Sequence, residues 1–70
     1  MENSMNIKKA LRVNLARLNM TQSELAEKSG ITEQTLSKMN KDNEASTKIL
    51  RKICMTLDIT MWQFIKDGYE

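Results

Sequence analysis

The stretch from Thr21 to Met39, TQSELAEKSGITEQTLSKM, constrains the fold most, because it predicts two helix starts and one tight break within a short span. Thr21 followed by Glu24 makes a capping-box pattern, in which the threonine oxygen accepts the Glu24 backbone N–H and the glutamate accepts the threonine N–H. A helix should therefore begin at Gln22. Gly30 can end this helix, because glycine adopts the left-handed conformation without a Cβ clash.

A second helix is predicted directly after this break. Thr32 is a second N-cap, and the helix should run from Glu33 to about Asn40. On a helical wheel, Leu36 and Met39 lie on one side. The opposite face is polar, short-chained and mixed in charge, so it can offer hydrogen bonds to a partner. Its residues are Glu33, Gln34, Ser37, Lys38 and Lys41.

A longer helix is predicted before this pair. Ser4 is its expected N-cap, and it should run from about Met5 to Leu18. Asn14 falls close to the apolar side, where we expect its side chain to bond a nearby backbone carbonyl. Asn19 can then adopt the left-handed conformation that ends the helix. The inward stripe consists of Ile7, Ala10, Leu11, Leu15 and Leu18.

Two more helices are predicted after the loop NKDNEA. Ser46 is the N-cap of a fourth helix, Thr47 to Leu57. Thr60 with Gln63 repeats the capping-box pattern, and it predicts a last helix from Met61 to about Lys66. The residues expected to point inward are Leu50, Ile53, Cys54 and Leu57 in the fourth helix, and Ile59, Met61, Phe64 and Ile65 around the fifth.

The chain is predicted to form one all-α domain, because the alternation needed for strands is absent and no proline interrupts the helical patterns. We expect a flexible lead at 1–4, a single domain at 5–67 and a C-terminal tail at 68–70. No histidine, paired-carboxylate motif or phosphate loop is present, so no catalytic constellation is evident. Neither a cofactor nor a small-molecule ligand is expected.

Charge and cysteine content limit the partners, metal sites and cellular settings that the chain can have. A net charge of +2 is weak evidence for a nucleic-acid partner. Cys54 is the only cysteine and histidine is absent, so an intramolecular disulfide and the usual zinc sites are excluded, and a reducing, cytoplasmic setting is favoured. Cys54 itself is interpreted as a small core residue rather than a reactive thiol. No apolar run approaches about eighteen residues, so neither a signal peptide nor a membrane span is expected.

The motif resembles a known family. Residues at five positions have the spacings of the helix-turn-helix in phage repressors and Cro proteins, the XRE-like family, and the resemblance covers about Ile7 to Ile65. It implies a compact five-helix lambda-repressor-like domain that binds double-stranded DNA, with the helix after Thr32 in the major groove. A prophage, plasmid or other mobile element is the implied source. The five matching residues are Gln22, Ala26, Gly30, Ile31 and Leu36.

Base contacts are expected from the first two turns of the outward face. Gln34 can pair bidentately with adenine, and Lys38 can reach guanine. Glu33 could accept from a cytosine amino group, although it could equally serve only to stabilise the dipole of its own helix. The family often has glutamine at this position, so the chain departs from it there. The candidate base-reading residues are Glu33, Gln34, Ser37 and Lys38.

Phosphate contacts are expected from a different set. The start of the second helix offers backbone N–H groups and a favourable dipole to an anion, and the resemblance implies that the residue at Gln22 binds phosphate. Basic residues of the first helix are interpreted as solvated surface charges. The candidate phosphate-binding residues are Thr21, Gln22, Lys41, Asn43 and Lys48.

A homodimer is the expected assembly. Trp62 falls between two inward positions and is either an exposed interface anchor or a core residue. Ala45, Met61 and Gln63 are the other interface candidates. A two-fold dimer would place two recognition helices roughly 34 Å apart on a nearly palindromic operator. The leading interpretation is a Cro-like repressor. The alternative is a protein-interaction or antirepressor module that keeps the fold without reading bases.

Overall fold

The computed structural model describes residues 5–69, and these form five helices joined by short turns. No strand occurs within this range, so the prediction of an all-α five-helix fold is confirmed. Every helix described there is too short or too polar to cross a membrane. The helices are α1 (Ile7–Arg17), α2 (Gln22–Ser29), α3 (Glu33–Asp42), α4 (Thr47–Leu57) and α5 (Met61–Tyr69).

The N-caps of α2 and α3 form as predicted. Thr21 Oγ1 accepts the Glu24 backbone N–H at 3.1 Å, and Glu24 Oε1 accepts the Thr21 N–H at 2.9 Å, which completes the capping box. Thr32 Oγ1 caps α3 through the Thr35 N–H at 3.1 Å. Gly30 ends α2 with φ +77°. These local bonds fix both helix starts of the helix-turn-helix.

The limits of α1 differ from the prediction. The helix begins at Ile7 rather than Met5, because Asn6 Oδ1 accepts the Lys9 N–H at 3.0 Å and so acts as the N-cap. Ser4, the predicted cap, lies outside the described residues. Leu18 is 45% exposed rather than buried, since the helix has already ended when the chain reaches it.

The C-terminal ends of α3 and α5 also lie further along the chain than predicted. α3 continues to Asp42, and Asn43 ends it in the left-handed conformation with φ +54°. Lys41 therefore belongs to the last turn of this helix and not to a loop. α5 continues through Gly68 to Tyr69, so the tail predicted from residue 68 was placed too early.

Close packing between the two ends of the described chain explains the extra turn of α5. The Asn6 N–H donates to the Gly68 carbonyl oxygen at 3.1 Å, and Gly68 is buried. The Thr60 cap is present, since its Oγ1 accepts the Gln63 N–H at 3.0 Å. The reciprocal half of that predicted capping box is absent, because the Gln63 side chain donates to Asp67 instead.

All five helices contribute to one apolar core. Leu25, Leu36, Ile53 and Phe64 are fully buried. Cys54 is 3% exposed, its burial raises the pKa of the thiol, and its S–H donates to Met61 Sδ at 3.7 Å. The predicted core role of this cysteine is confirmed. The remaining buried apolar residues are Ile7, Ala10, Leu11, Ala26, Ile31, Met39 and Leu57.

A buried polar cluster joins α1 to α5. Asn14 Nδ2 donates to the Ala10 carbonyl at 2.8 Å, as predicted, and to Asp67 Oδ2 at 2.9 Å. Gln63 Nε2 donates to Asp67 Oδ1 at 2.9 Å, and Arg17 Nη1 lies 3.6 Å from Asp67 Oδ2. The Asp67 carboxylate is 5% exposed, and these donors make its burial tolerable.

Gly68→Ala should destabilise the fold, although alanine is the better helix former by about 1 kcal/mol. A Cβ at this position would lie 2.9 Å from the Asn6 carbonyl oxygen and 2.9 Å from Met5 Cγ. Relieving these clashes requires the backbone around Asn6 to move, so we expect a net loss of about 1–3 kcal/mol in the free energy of unfolding. Urea denaturation measures it, and a variant as stable as the wild type would contradict the close approach.

Gly30 offers a matched comparison for this test. A Cβ there would have nothing within 4 Å, so Gly30→Ala suffers only from its left-handed backbone, φ +77°. Asparagine tolerates that conformation better than alanine does. Gly30→Asn should therefore recover part of the stability lost in Gly30→Ala, whereas Gly68→Asn should recover none of the loss in Gly68→Ala.

Glu24→Gln should remove a pH-dependent part of the stability. The Thr21 backbone N–H is the main cause that holds the pKa of Glu24 below its ordinary value of 4.5. Because the folded-state pKa is the lower one, the ionised carboxylate stabilises the fold above that value, and this contribution is lost as the pH falls through the folded-state pKa. The wild type should therefore be more stable than the variant at neutral pH, and the difference should shrink in acid.

Urea unfolding of both chains from neutral pH down to about pH 2 tests this linkage. Glu27→Gln is the matched control, because it removes one carboxylate from the same helix without touching the capping box. A gap between the wild type and Glu24→Gln that stayed constant across the whole range would show that the carboxylate charge contributes nothing through the cap.

Candidate nucleic-acid interface

The outer face of α3 presents a row of polar side chains to solvent. Glu33, Gln34, Ser37 and Lys38, here called the recognition face, are all exposed. Their spacing places them on one side of a helix. The opposite side is fixed, because Leu36 is 0% and Met39 is 3% exposed. The four predicted base-reading residues therefore share one accessible surface.

The start of α2 is bonded to both ends of α3. Ser23 Oγ donates to Glu33 Oε1 at 2.9 Å, next to the turn. Asn40 Nδ2 donates to Gln22 Oε1 at 3.3 Å, at the other end of α3. The structure thus brings a predicted phosphate-binding residue beside the recognition helix. Neither bond was predicted from the sequence, because both depend on how the two helices cross.

These bonds leave hydrogen-bond donors at the start of α2 that can still bind a phosphate. Gln22 Oε1 accepts from Asn40, so its Nε2 amide is the group left to donate to a phosphate oxygen. Thr21 Oγ1 and the Thr21 N–H are already engaged with Glu24. The Thr21 hydroxyl hydrogen is the one further donor on that residue. Gln22 is therefore the better placed of the two phosphate candidates.

The positive charges near α3 are exposed and have no partner among residues 5–69. Lys38 and Lys41 lie three positions apart in α3, so they share a side of the helix. Lys48 stands in the first turn of α4. The ion pair formed within this range joins Arg17 to Asp67, on other helices. The three lysines can therefore contribute to the attraction of a polyanion.

Asn43 has a structural role that the sequence did not predict. Its Oδ1 accepts the Ile7 N–H at 2.8 Å, and its Nδ2 donates to the Met5 carbonyl at 2.9 Å. Both polar atoms of the side chain are therefore bonded to the start of α1. These bonds hold the end of α3 in place. The amide has a second hydrogen, so phosphate binding by this exposed residue stays a prediction.

The interface candidates of the homodimer divide into exposed and packed residues. Trp62 is 70% exposed, so it is not a core residue of the single chain, and its role as an interface anchor stays a prediction. Met61 and Ala45 are half-buried and pack against the core. Gln63 is half-buried and bonded to Asp67. Trp62 is thus the candidate that is free to contact a partner over most of its surface.

Comparison with known protein families gives a match over most of the chain. The family model of the Cro/C1-type helix-turn-helix DNA-binding domain matches residues 10–67. Neither the curated proteins nor the solved structures gave a significant match. The matched residues include all of α2, α3 and α4, with the recognition face at their centre. This chain therefore belongs to the family of Cro/C1-type helix-turn-helix DNA-binding domains.

Proposed function

We propose that the chain is a sequence-specific, dimeric repressor of the Cro kind, with α3 in the major groove of a nearly palindromic operator. The observation that carries this proposal is the recognition face. Glu33, Gln34, Ser37 and Lys38 are exposed together on a helix whose other side is anchored in the core. A helix anchored in this way can enter a groove about 12 Å wide without disturbing the domain.

In this proposal, the affinity for DNA comes mainly from contacts with the phosphate backbone. Lys41 and Lys48 are exposed at the end of α3 and the start of α4, and Gln22 offers an amide donor at the start of α2. Thr21 with its hydroxyl and Asn43 with the second hydrogen of its amide complete the set. Contacts of this kind release counterions from DNA, so binding should weaken steeply as the salt concentration rises.

Sequence preference in this proposal comes from the recognition face. Gln34 has an amide that fits the N6 and N7 positions of adenine, and Lys38 can donate to O6 and N7 of guanine. Glu33 can accept from the amino group of cytosine. Ser37 has a short hydroxyl that can donate or accept at any base edge. Two copies related by a two-fold axis would read two half-sites roughly 34 Å apart.

Trp62 anchors the proposed dimer. An exposed tryptophan is a common centre of a protein interface, because it buries a large apolar surface and loses few rotamers. Ala45, Met61 and Gln63 would add surface that is already held in place by contacts within the chain. Surface that is rigid before binding keeps the entropic cost of association small.

Selection of bound sites from random duplexes, followed by affinity measurements at several salt concentrations, tests the function. A DNA-reading repressor should enrich a two-fold symmetric sequence, and its log affinity should fall linearly with log salt. A protein-interaction or antirepressor module should show no enrichment and no such slope. That second result would remove the proposed function while leaving the fold unchanged.

Gln34→Ala and Lys41→Ala should affect binding in different ways. Losing the Gln34 amide removes a bidentate base contact, so discrimination at one base pair should fall by about 1–3 kcal/mol. Losing the Lys41 charge should weaken binding to all duplexes about equally, and it should reduce the slope of log affinity against log salt by about 1. Lys66→Ala is the matched control, since it removes one exposed charge from α5. The reverse pattern would mean that a different face of α3 meets the bases.

Trp62→Ala should weaken dimerisation more than it weakens the fold. Truncating a buried aromatic anchor of an interface typically costs about 2 kcal/mol or more, so the dimer dissociation constant should rise by at least about 30-fold. Because the side chain is 70% exposed within one chain, monomer stability should change by less than about 0.5 kcal/mol. Sedimentation equilibrium and urea unfolding measure the two quantities.

Leu18→Ala is the control for this dimer test, because Leu18 is an exposed apolar residue at the end of α1. It should leave the dimer dissociation constant unchanged. A Trp62→Ala variant that sediments as the wild-type dimer would exclude the proposed anchor.

A further inference from the structure

Ser23 connects the first turn of α2 to the recognition face. Its hydroxyl donates to Glu33 Oε1 at 2.9 Å, across ten residues of sequence and the turn between the two helices. Both residues are exposed, so this contact lies on the surface and not in the core. Hydrogen bonds to an ionised carboxylate are stronger than those between neutral groups. The bond can therefore select one orientation of the Glu33 side chain.

The surroundings of Glu33 give this bond its importance. Glu24, Glu27 and Glu33 line one shallow groove between α2 and α3, and like charges repel one another there. Glu24 is already bonded to Thr21 in the capping box. Within residues 5–69, no lysine or arginine forms an ion pair with Glu33. The Ser23 hydroxyl is thus the side-chain donor that holds the Glu33 carboxylate.

A held carboxylate still has capacity to recognise a base. A carboxylate has two oxygens with about four lone-pair sites, and Ser23 occupies one of them on Oε1. Oε2 remains free to accept from a cytosine amino group. Fixing the rotamer before binding reduces the side-chain entropy that is lost when the base contact forms.

We propose that Ser23 is a positioning residue that sets the base preference of Glu33 by holding its carboxylate at the start of α3. This proposal rests on the proposed function, since it requires α3 to lie in the major groove. Ser23 itself contacts no base. Its effect is confined to the base pair opposite Glu33, because its described side-chain bond is to that residue.

The test is a double-mutant cycle with Ser23→Ala, Glu33→Ala and the double variant. The preferred duplex of the wild type is first selected from random DNA. Dissociation constants are then measured for that duplex and for single base-pair changes across each half-site. Ser23→Thr keeps the hydroxyl. Ser29→Ala is the matched control, because it also removes a hydroxyl from α2. The Ser29 hydroxyl bonds only to nearby backbone, the Ala26 carbonyl and the Ile31 N–H.

Ser23→Ala should lower discrimination at one base pair by about five-fold and leave the other positions unchanged. The double variant should discriminate no less than Glu33→Ala alone, because Ser23 acts through Glu33. Ser23→Thr should retain the wild-type preference, and Ser29→Ala should retain it even if urea unfolding shows a loss of stability.

Three results would overturn the proposal. Ser23→Ala could keep the wild-type base preference, or it could weaken binding to all duplexes equally. Either outcome would show that the bond to Glu33 is only a structural contact. Additive effects of Ser23→Ala and Glu33→Ala would show that the two residues act independently. All of these leave the proposed function intact, because the wild type still selects a sequence. A wild type that selects no sequence would instead refute the proposed function, and this inference with it.

Discussion

The orientation of α3 depends on the burial of Leu36 and Met39. These two side chains are 0% and 3% exposed, and they fix which side of the helix meets the core. Because a helix has only one opposite side, Glu33, Gln34, Ser37 and Lys38 are then directed to solvent. In the proposed complex, this apolar contact sets the orientation of the base-reading side chains. A change in those two core residues would then be expected to alter DNA binding although neither of them faces the DNA.

Hydrogen bonds then hold α3 at both ends. Ser23 bonds the first residue of the helix, and Gln22 accepts from Asn40 near its end. Asn43, directly after the last turn, bonds the backbone at the start of α1. Two of these attachments come from neighbouring residues at the start of α2, and the third reaches the start of α1, so the helix is fixed in position as well as in rotation. Preorganisation of this kind limits the conformational entropy lost on binding.

Local signals in the sequence predict most of this arrangement, and contacts between distant residues account for what they miss. Capping patterns gave the starts of α2, α3, α4 and α5, because each cap bonds a backbone N–H only three residues away. The ends of α3 and α5 were missed, since they depend on Asn43 and Gly68 meeting the start of α1. The Asn14–Asp67 bond spans 53 residues and has no local signature. The helical pattern could not assign Trp62 to the core or to the surface, because predicted inward residues lie on both sides of it in the sequence.

The contact between Asn6 and Gly68 has a consequence for how the chain acquires its structure. Asn43 finishes the recognition helix by bonding the start of α1, and that same segment is bonded to the last turn of α5. The end of α3 is thereby linked, through the start of α1, to the last turn of α5. A chain cut before Gly68 would lack the contact that secures this segment, so the end of α3 gains its full support only after α5 has formed.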